Sequence, residues 1–137
     1  MSRADNAVRP RGVTVVALLA FVGGAVGVFE ATVALMTSLL VFLGLLGSTP
    51  PNESMVVVGI LGMILSVFQL RLGVGAWMRD PASWDYGRVL QVVLVLFGLA
   101  RIIGRGSLLA ILPFVLVPGA ILYYLYTPEV RQAFRRV

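Results

Sequence analysis

The chain has 137 residues, of which 59% are hydrophobic and only 12% are charged, with a net charge of +5 at pH 7. Soluble domains carry about 25% charged residues, so a water-soluble globule of this length could not hide so much apolar surface. Neither cysteine nor histidine occurs, which excludes disulfides, thiolate and imidazole metal ligands, and the commonest catalytic nucleophile and base. We therefore expect an integral membrane protein without a catalytic, metal or cofactor site.

The basic residues are all arginines, and they gather near the ends of the apolar segments. In a soluble protein a positive net charge often indicates nucleic-acid binding, but beside a bilayer arginines contact anionic head groups and fix the orientation of the spans. We therefore predict membrane lipids with anionic head groups as partners of these side chains. We predict neither nucleic acid nor a small-molecule substrate.

The first apolar run follows a polar arm, residues 1–12, and extends over residues 13–46. A helix of about 20 residues crosses a ~30 Å hydrocarbon core, so this run is too long for one upright span and too short for two. We predict one long, tilted span. The apolar region of a cleaved signal peptide is usually only about 7–15 residues, so we expect the segment to be retained. Residues 47–54 then form a turn-rich loop without arginine.

Three further apolar segments predict three further spans, over residues 55–78, 84–103 and 107–126. Pro113 and Pro118 fall inside the last of these and are predicted to kink or redirect it. The sequence thus predicts an all-α fold: a single transmembrane domain over residues 1–137, built as a four-transmembrane-helix bundle.

The C-terminal segment, residues 128–137, predicts a short amphipathic helix. Thr127 supplies a capping hydroxyl, Pro128 suits the first helical position, and Glu129 places an acid in the first turn. The helix has an apolar face with Val130, Phe134 and Val137 and a basic face with Arg131 and Arg135. We expect it to lie in the lipid interface.

The distribution of arginine predicts the orientation, because arginine-rich segments translocate poorly. With the amino end inside, the cytoplasmic arginines are Arg3, Arg9, Arg11, Arg79, Arg88, Arg131, Arg135 and Arg136, against Arg105 outside. Aromatic residues collect at the same interface: Trp77, Trp84, Tyr86, Tyr123, Tyr124 and Tyr126. We predict a multi-pass protein of the cell membrane with cytoplasmic N and C termini. Its lipid-interface residues would be Trp77, Trp84, Tyr86, Arg131, Arg135 and Arg136.

Small residues recur at three- and four-residue steps on the first two spans, a spacing that lets helices approach closely. The stripes are Gly23, Gly27, Glu30, Ala34 and Thr37 on the first span, and Gly59, Gly62, Ser66, Gln69 and Gly73 on the second. The helix-packing candidates among them are Gly23, Gly27, Gly59, Gly62, Ser66 and Gln69. Since Glu30 shares the first stripe, its side chain is expected to point into the bundle.

Two charged residues fall in the outer half of the predicted spans. Arg101 lies roughly 22 Å above the inner end of its span at 1.5 Å per residue, and Glu30 lies at a similar depth. A charge inside a membrane costs free energy unless it is paired or hydrated, so we predict an ion pair between Glu30 and Arg101. The pair would either lock two helices or make Glu30 a protonatable group on an ion or substrate path.

Three segments carry a resemblance to known proteins: residues 9–14 (RPRGVT), 75–77 (GAW) and 123–134 (YYLYTPEVRQAF). With them the chain resembles a loosely defined group of small uncharacterised prokaryotic four-helix membrane proteins, of which haloarchaea have many. The resemblance covers the whole chain in layout. It implies a fold and no activity.

Three functions fit these features. The leading interpretation is a structural or accessory membrane subunit that packs against itself or a larger membrane partner through its glycine faces. The first alternative is a small oligomeric channel or transporter that uses Glu30, and the second is a membrane protein of an archaeal virus or vesicle. The sequence has no Gly-rich phosphate loop, paired membrane carboxylates or nucleophile-base constellation, so we do not predict an enzyme.

Overall fold

The computed structural model of the chain describes residues 10–47, 53–105 and 111–135. Within these ranges five α-helices follow one another: α1 (Arg11–Phe42), α2 (Glu53–Met78), α3 (Pro81–Arg105), α4 (Val117–Leu125) and α5 (Pro128–Arg135). A π-helical turn, Leu112–Leu116, leads directly into α4. The described residues contain no strand, which confirms the all-α prediction.

In the described part of the chain, three helical segments are long and apolar enough to cross a membrane: Arg11–Phe42, Met55–Met78 and Pro81–Gly104. The apolar helix Leu112–Leu125 is shorter. It is the part of the predicted span 107–126 that the structure describes, since residues 106–110 lie outside the described residues. Three described helices therefore have the length and apolar composition that the sequence predicted for membrane spans.

Helix α1 ends earlier than its apolar sequence suggested. It stops at Phe42, although the predicted span covered residues 13–46. Gly44 has a positive φ of 71°, and the Leu45 N–H donates to the Leu40 carbonyl at 2.9 Å. This is a Schellman motif, which glycine adopts without a steric penalty. The chain therefore leaves the helix while its side chains are still apolar.

The connection between α2 and α3 is tight because the end signal of one helix adjoins the start signal of the next. Arg79 has a positive φ of 59°, and the Asp80 N–H donates to the Gly75 carbonyl at 2.9 Å, which closes α2. The Asp80 carboxylate accepts a first-turn N–H at 3.1 Å, and Pro81 takes the first helical position. Helix α3 therefore begins before the predicted start at Trp84.

Two prolines shape the helix that follows α3. Pro113 lies in the π turn and Pro118 in the first turn of α4. The Val117 N–H donates to the carbonyl of Leu112, five residues back, which is the hydrogen bond of a π-helix. A proline lacks an N–H and clashes with the carbonyl four residues back, which for Pro118 is that of Phe114. The wider turn absorbs the disturbance that the sequence predicted as a kink.

A buried hydrophobic cluster joins all five helices and lies mainly toward the end that holds α5. It consists of Val13, Val16, Ala17, Ala20, Leu72, Ala76, Leu90, Leu94, Phe114, Ile121, Leu125, Val130 and Phe134. Many large apolar side chains of the three long helices are exposed instead, Phe29 at 72% and Val89 at 65% among them. Such a surface suits hydrocarbon rather than water.

Helix α5 closes this end of the bundle with its apolar face. Val130 and Phe134 are 0% and 1% exposed. A Cβ built at Gly12 would lie 2.5 Å from the Val130 side chain, so glycine leaves the space that Val130 occupies. Protein therefore covers these two residues, whereas the amphipathic pattern had predicted lipid. Arg131 and Arg135 remain exposed on the other face.

Candidate functional site

The glycine faces of α1 and α2 pack against each other. The six predicted packing residues are buried: Gly23, Gly27, Gly59, Gly62, Ser66 and Gln69. A Cβ at Gly27 would collide with the hydroxyl of Ser66, and one at Gly24, which the stripes had left out, would lie 2.9 Å from the backbone nitrogen of Leu70. Only glycine permits this approach of two helices.

A reciprocal amide pair joins α2 to α3 in the interior. Gln91 Nε2 donates to Gln69 Oε1 at 2.7 Å, and Gln69 Nε2 donates to Gln91 Oε1 at 3.3 Å. Gln69 and Gln91 are 2% and 0% exposed. Each amide supplies the donor and the acceptor that the other requires, so the pair needs no water.

The spacing of small residues predicts that Gln69 lies on a packing face, but it does not indicate the partner of its amide. The signal was nonetheless present, because Gln69 and Gln91 are the single amides of α2 and α3 and lie equally far from Asp80 on either side. Two antiparallel helices joined by a tight turn bring such positions to the same height. The short connection at Asp80 was therefore the information needed to pair them.

The two charged residues that the sequence placed at similar depths lie in contact between α1 and α3. Arg101 Nη2 lies 2.5 Å from Glu30 Oε1, and the two side chains are 14% and 26% exposed, respectively. The guanidinium also lies 5.2 Å from the ring centroid of Phe114 and 5.9 Å from that of Phe97. A cation near aromatic faces is stabilised by their quadrupoles. The π turn thus helps to hold the pair.

The surroundings of this pair are closely packed. The adjoining cavity measures about 10 Å³ and is lined by residues of α1, α2, α3 and the π turn. A single water needs roughly 10–15 Å³. Arg101 Nε is buried and has no hydrogen-bond partner among the described residues. The cavity therefore holds one water at most and has no room for a substrate.

Three hydroxyls in the long helices bond within their own helix. Ser66 Oγ donates to the Gly62 carbonyl at 2.6 Å. The hydroxyls of Ser38 and Thr32 each donate at 2.8 Å to the carbonyl four residues earlier. A hydroxyl satisfied in this way costs little in an apolar environment. These groups accordingly serve the helices that carry them.

Predicted lipid-interface residues gather around Trp84, at the end of the bundle that holds α5. The Trp84 ring lies 3.8 Å from the guanidinium carbon of Arg88, 5.8 Å from that of Arg131 and 5.9 Å from that of Arg135. Trp84 Nε1 donates to the Leu125 carbonyl at 3.0 Å, which fixes the ring against α4. The cluster presents three positive charges around an amphipathic ring, as at a membrane interface.

The other predicted interface residues are placed as follows. Trp77 is 46% exposed at the end of α2, and Tyr86 is half-buried near the start of α3. Arg136 lies outside the described residues, as do Arg3 and Arg9 of the amino-terminal arm. The structure therefore brings Trp84, Arg131 and Arg135 together.

The three polar features lie at different heights along α3. The Trp84 cluster is near its start, the amide pair is farther along, and the ion pair lies toward its end. Each joins α3 to another helix through groups that would cost free energy if they were left unpaired in hydrocarbon. Comparison with known proteins adds no assignment to this geometry, since no protein-family model, curated protein or solved structure matches the chain.

Proposed function

We propose that this chain is a non-catalytic integral membrane protein that crosses the bilayer four times and acts as a structural or accessory subunit. In this proposal it packs against a second copy or a larger membrane partner. One observation carries the proposal. Four polar side chains of the long helices bond to one another across helices, Gln69 with Gln91 and Glu30 with Arg101, and the cavity beside the ion pair is about 10 Å³. Groups used in this way lock helices and leave no aqueous path between them.

The proposed topology places both termini in the cytoplasm. Gly12 at the start of α1 contacts Val130 of α5, so the described ends of the chain lie at the same end of the molecule. An even number of spans has this property. The arginines around Trp84 lie at that end too, which supports its assignment to the positively charged, cytoplasmic side.

Single-cysteine labelling tests the topology, because the natural chain has no cysteine. Gln132 lies on the exposed face of α5, and Ser48 belongs to the loop that the sequence predicts over residues 47–54. We expect a membrane-impermeant maleimide to label Ser48→Cys in intact cells and Gln132→Cys only after permeabilisation. Labelling of both positions in intact cells, or of neither, would contradict the proposed topology.

Gentle extraction followed by mass spectrometry of the intact assembly tests the accessory role. We expect a homo-oligomer or a complex with one membrane protein in fixed stoichiometry. The matched control is extraction of the same membranes after the tag has been moved to an unrelated protein of similar size. A monodisperse monomer that retains no protein partner would contradict the role.

The channel or transporter alternative rests on one observation: the Glu30 carboxylate is partly exposed, at 26% for its side chain. It predicts an ion flux in liposomes that Glu30→Gln abolishes and that a distant substitution, Gln132→Ala, leaves unchanged. The accessory role predicts no flux from the natural chain. A virion or vesicle protein would instead be abundant in purified particles.

A further inference from the structure

A groove opens between α2 and α3 on the surface that would face the membrane. Its volume is about 550 Å³, within the ~300–1,000 Å³ of small-molecule sites. Its apolar lining includes Leu65 and Phe68 of α2 and Val89 and Val93 of α3, and it also reaches Arg71 and Tyr86. Phe68, Val89 and Val93 are between 42% and 65% exposed. The groove is therefore open sideways, to whatever surrounds the helices.

The groove is polar at one end only. Arg71 precedes the end of α2 at Met78 by about 10 Å of helix, and Tyr86 lies in the second turn of α3. The apolar lining residues all lie farther from the turn that joins the two helices. The groove thus runs from a positive, interfacial end into the apolar middle of the bundle. A phospholipid that lies along a helix has the same order, with a charged head group at one end and an apolar chain at the other.

Arg71 forms no ion pair among the described residues. Arg88 pairs with Asp85 and Arg101 pairs with Glu30, but no carboxylate in the described part of the chain forms an ion pair with Arg71. Its guanidinium carbon lies 5.9 Å from the ring centroid of Tyr86. An arginine at this depth stretches its head toward the interface, where an anionic head group offsets its charge.

We propose that this groove binds one anionic phospholipid, with its phosphate on Arg71 and one acyl chain along Leu65, Phe68, Val89 and Val93. The inference rests on the proposed membrane location of the chain. A helix of a partner protein is the competing occupant. It would desolvate Arg71 unless it supplied a carboxylate at that height, whereas a phospholipid brings a negative charge and an apolar chain in one molecule.

A photoreactive phosphatidylglycerol with a diazirine in its acyl chain tests the proposal on the full chain in nanodiscs of phosphatidylcholine. We expect cross-links to concentrate on the groove residues. Leu18 is the matched control, because it is exposed like Val89, at 54% against 65%, and lies about as far from the start of its own helix. Unlabelled phosphatidylglycerol should suppress the groove cross-links, and added phosphatidylcholine should not.

Two variants distinguish lipid binding in the groove from general attraction of anionic lipid to the basic surface. Arg71→Ala should weaken competition by phosphatidylglycerol about fivefold, which corresponds to ~1 kcal/mol for one arginine near an anionic surface. Arg131→Ala, which removes a charge outside the groove, should leave the competition unchanged. Far-UV circular dichroism and a size-exclusion profile like those of the natural chain establish that each variant is folded.

Three results would overturn the lipid site. They are cross-links spread evenly over Leu18 and the groove, competition that Arg71→Ala does not alter, and groove peptides cross-linked to a second polypeptide instead of lipid. The accessory role and the topology are tested separately, by co-extraction and by cysteine labelling. The lipid site can therefore fail while both of those stand, and both can fail while lipid still occupies the groove.

Discussion

The two polar pairs both satisfy polar side chains between helices, but they differ in charge and exposure. The amide pair of Gln69 and Gln91 is sealed, at 2% and 0% exposure, and carries no charge. The ion pair of Glu30 and Arg101 is partly open, with side chains at 26% and 14% exposure, and is held against two aromatic rings. In hydrocarbon an unpaired polar group costs several kcal/mol, so both pairs are interhelical bonds that the fold cannot leave open.

The difference between the pairs shows where charge is tolerated. Two amides satisfy each other completely, so they fit the packed interior between α2 and α3. A carboxylate and a guanidinium have more lone pairs and N–H groups than one contact can use, and Arg101 Nε is unsatisfied among the described residues. We therefore expect the ion pair to be the more sensitive to loss of one member, and the amide pair to be the more easily replaced by apolar residues.

Glu30→Leu should give the largest effect, because it leaves Arg101 charged and without its partner. Arginine does not deprotonate in proteins, and a central arginine costs about 2.5–3.5 kcal/mol to place in a membrane. We expect the free energy of unfolding to fall by about 2–3 kcal/mol, measured by titration with SDS in mixed micelles.

The double variant Glu30→Leu, Arg101→Met is the control for that prediction. Removing both charges should restore most of the lost stability, since buried ion pairs are often replaceable by apolar residues of similar volume. A single variant as stable as the natural chain, or a double variant less stable than Glu30→Leu, would show that the contact does not hold α1 to α3.

Gly98→Ala should have the next largest effect, because it separates α3 from the π turn that supports Arg101. A Cβ at Gly98 would lie 2.9 Å from the carbonyl oxygen of Phe114, a backbone atom that cannot rotate away. Overpacking of this kind costs about 1–3 kcal/mol. Thermal unfolding in detergent, followed by circular dichroism, should show a lower midpoint.

Gly104→Ala is the matched control on the same helix, since no atom of the described residues lies within 4 Å of a Cβ there. It should leave the midpoint unchanged or raise it slightly, because alanine restricts the unfolded chain. Equal midpoints for Gly98→Ala and Gly104→Ala would show that close packing between Gly98 and the π turn does not stabilise the protein.

Gln91→Leu should cost about 1–2 kcal/mol, because it leaves the amide of Gln69 buried and unpaired. The double variant Gln69→Leu, Gln91→Leu should recover most of this loss, as two apolar side chains need no hydrogen bond. The same SDS titration measures both. Additive losses in the double variant would contradict the reciprocal pair.

The sequence predicted those parts of the fold that depend on hydropathy. Runs of apolar residues indicate helices of membrane-spanning length. The pairing of Glu30 with Arg101 was predictable because few charged residues lie deep in the apolar segments. Charge and length act over a whole segment. They do not depend on the conformation of a single residue.

The parts that the sequence did not predict depend on single residues. Apolar residues continue past Phe42, so hydropathy does not indicate the Schellman motif at Gly44. Asp80 followed by Pro81 is the same kind of helix-start signal as Thr127 followed by Pro128. The apolar run begins only after Pro81, however, so hydropathy predicts a start of α3 that is too late, at Trp84. Local capping geometry, rather than composition, decides both positions.

The amphipathic pattern of α5 could not distinguish a lipid surface from a protein surface. An apolar face suits either, and the choice depends on a neighbour that is remote in sequence. Here Gly12 of α1 leaves the space into which Val130 fits. The exposure of the basic face was predictable, because the charged ends of Arg131 and Arg135 are unfavourable in hydrocarbon and in an apolar protein interior alike.

Arg101→Lys should have the smallest effect. It tests whether the contact of the guanidinium with aromatic rings stabilises the ion pair in addition to the charge. Lysine keeps the positive charge but loses the planar group that lies 5.2 Å from the ring centroid of Phe114 and near Phe97. We expect a loss of roughly 0.5–1 kcal/mol, measured in the SDS titration. Phe114→Leu in the lysine background should then cost less than it does in the natural chain. If both backgrounds lose the same amount, the rings pack against α3 without stabilising the cation, and the charge contact with Glu30 alone orients Arg101.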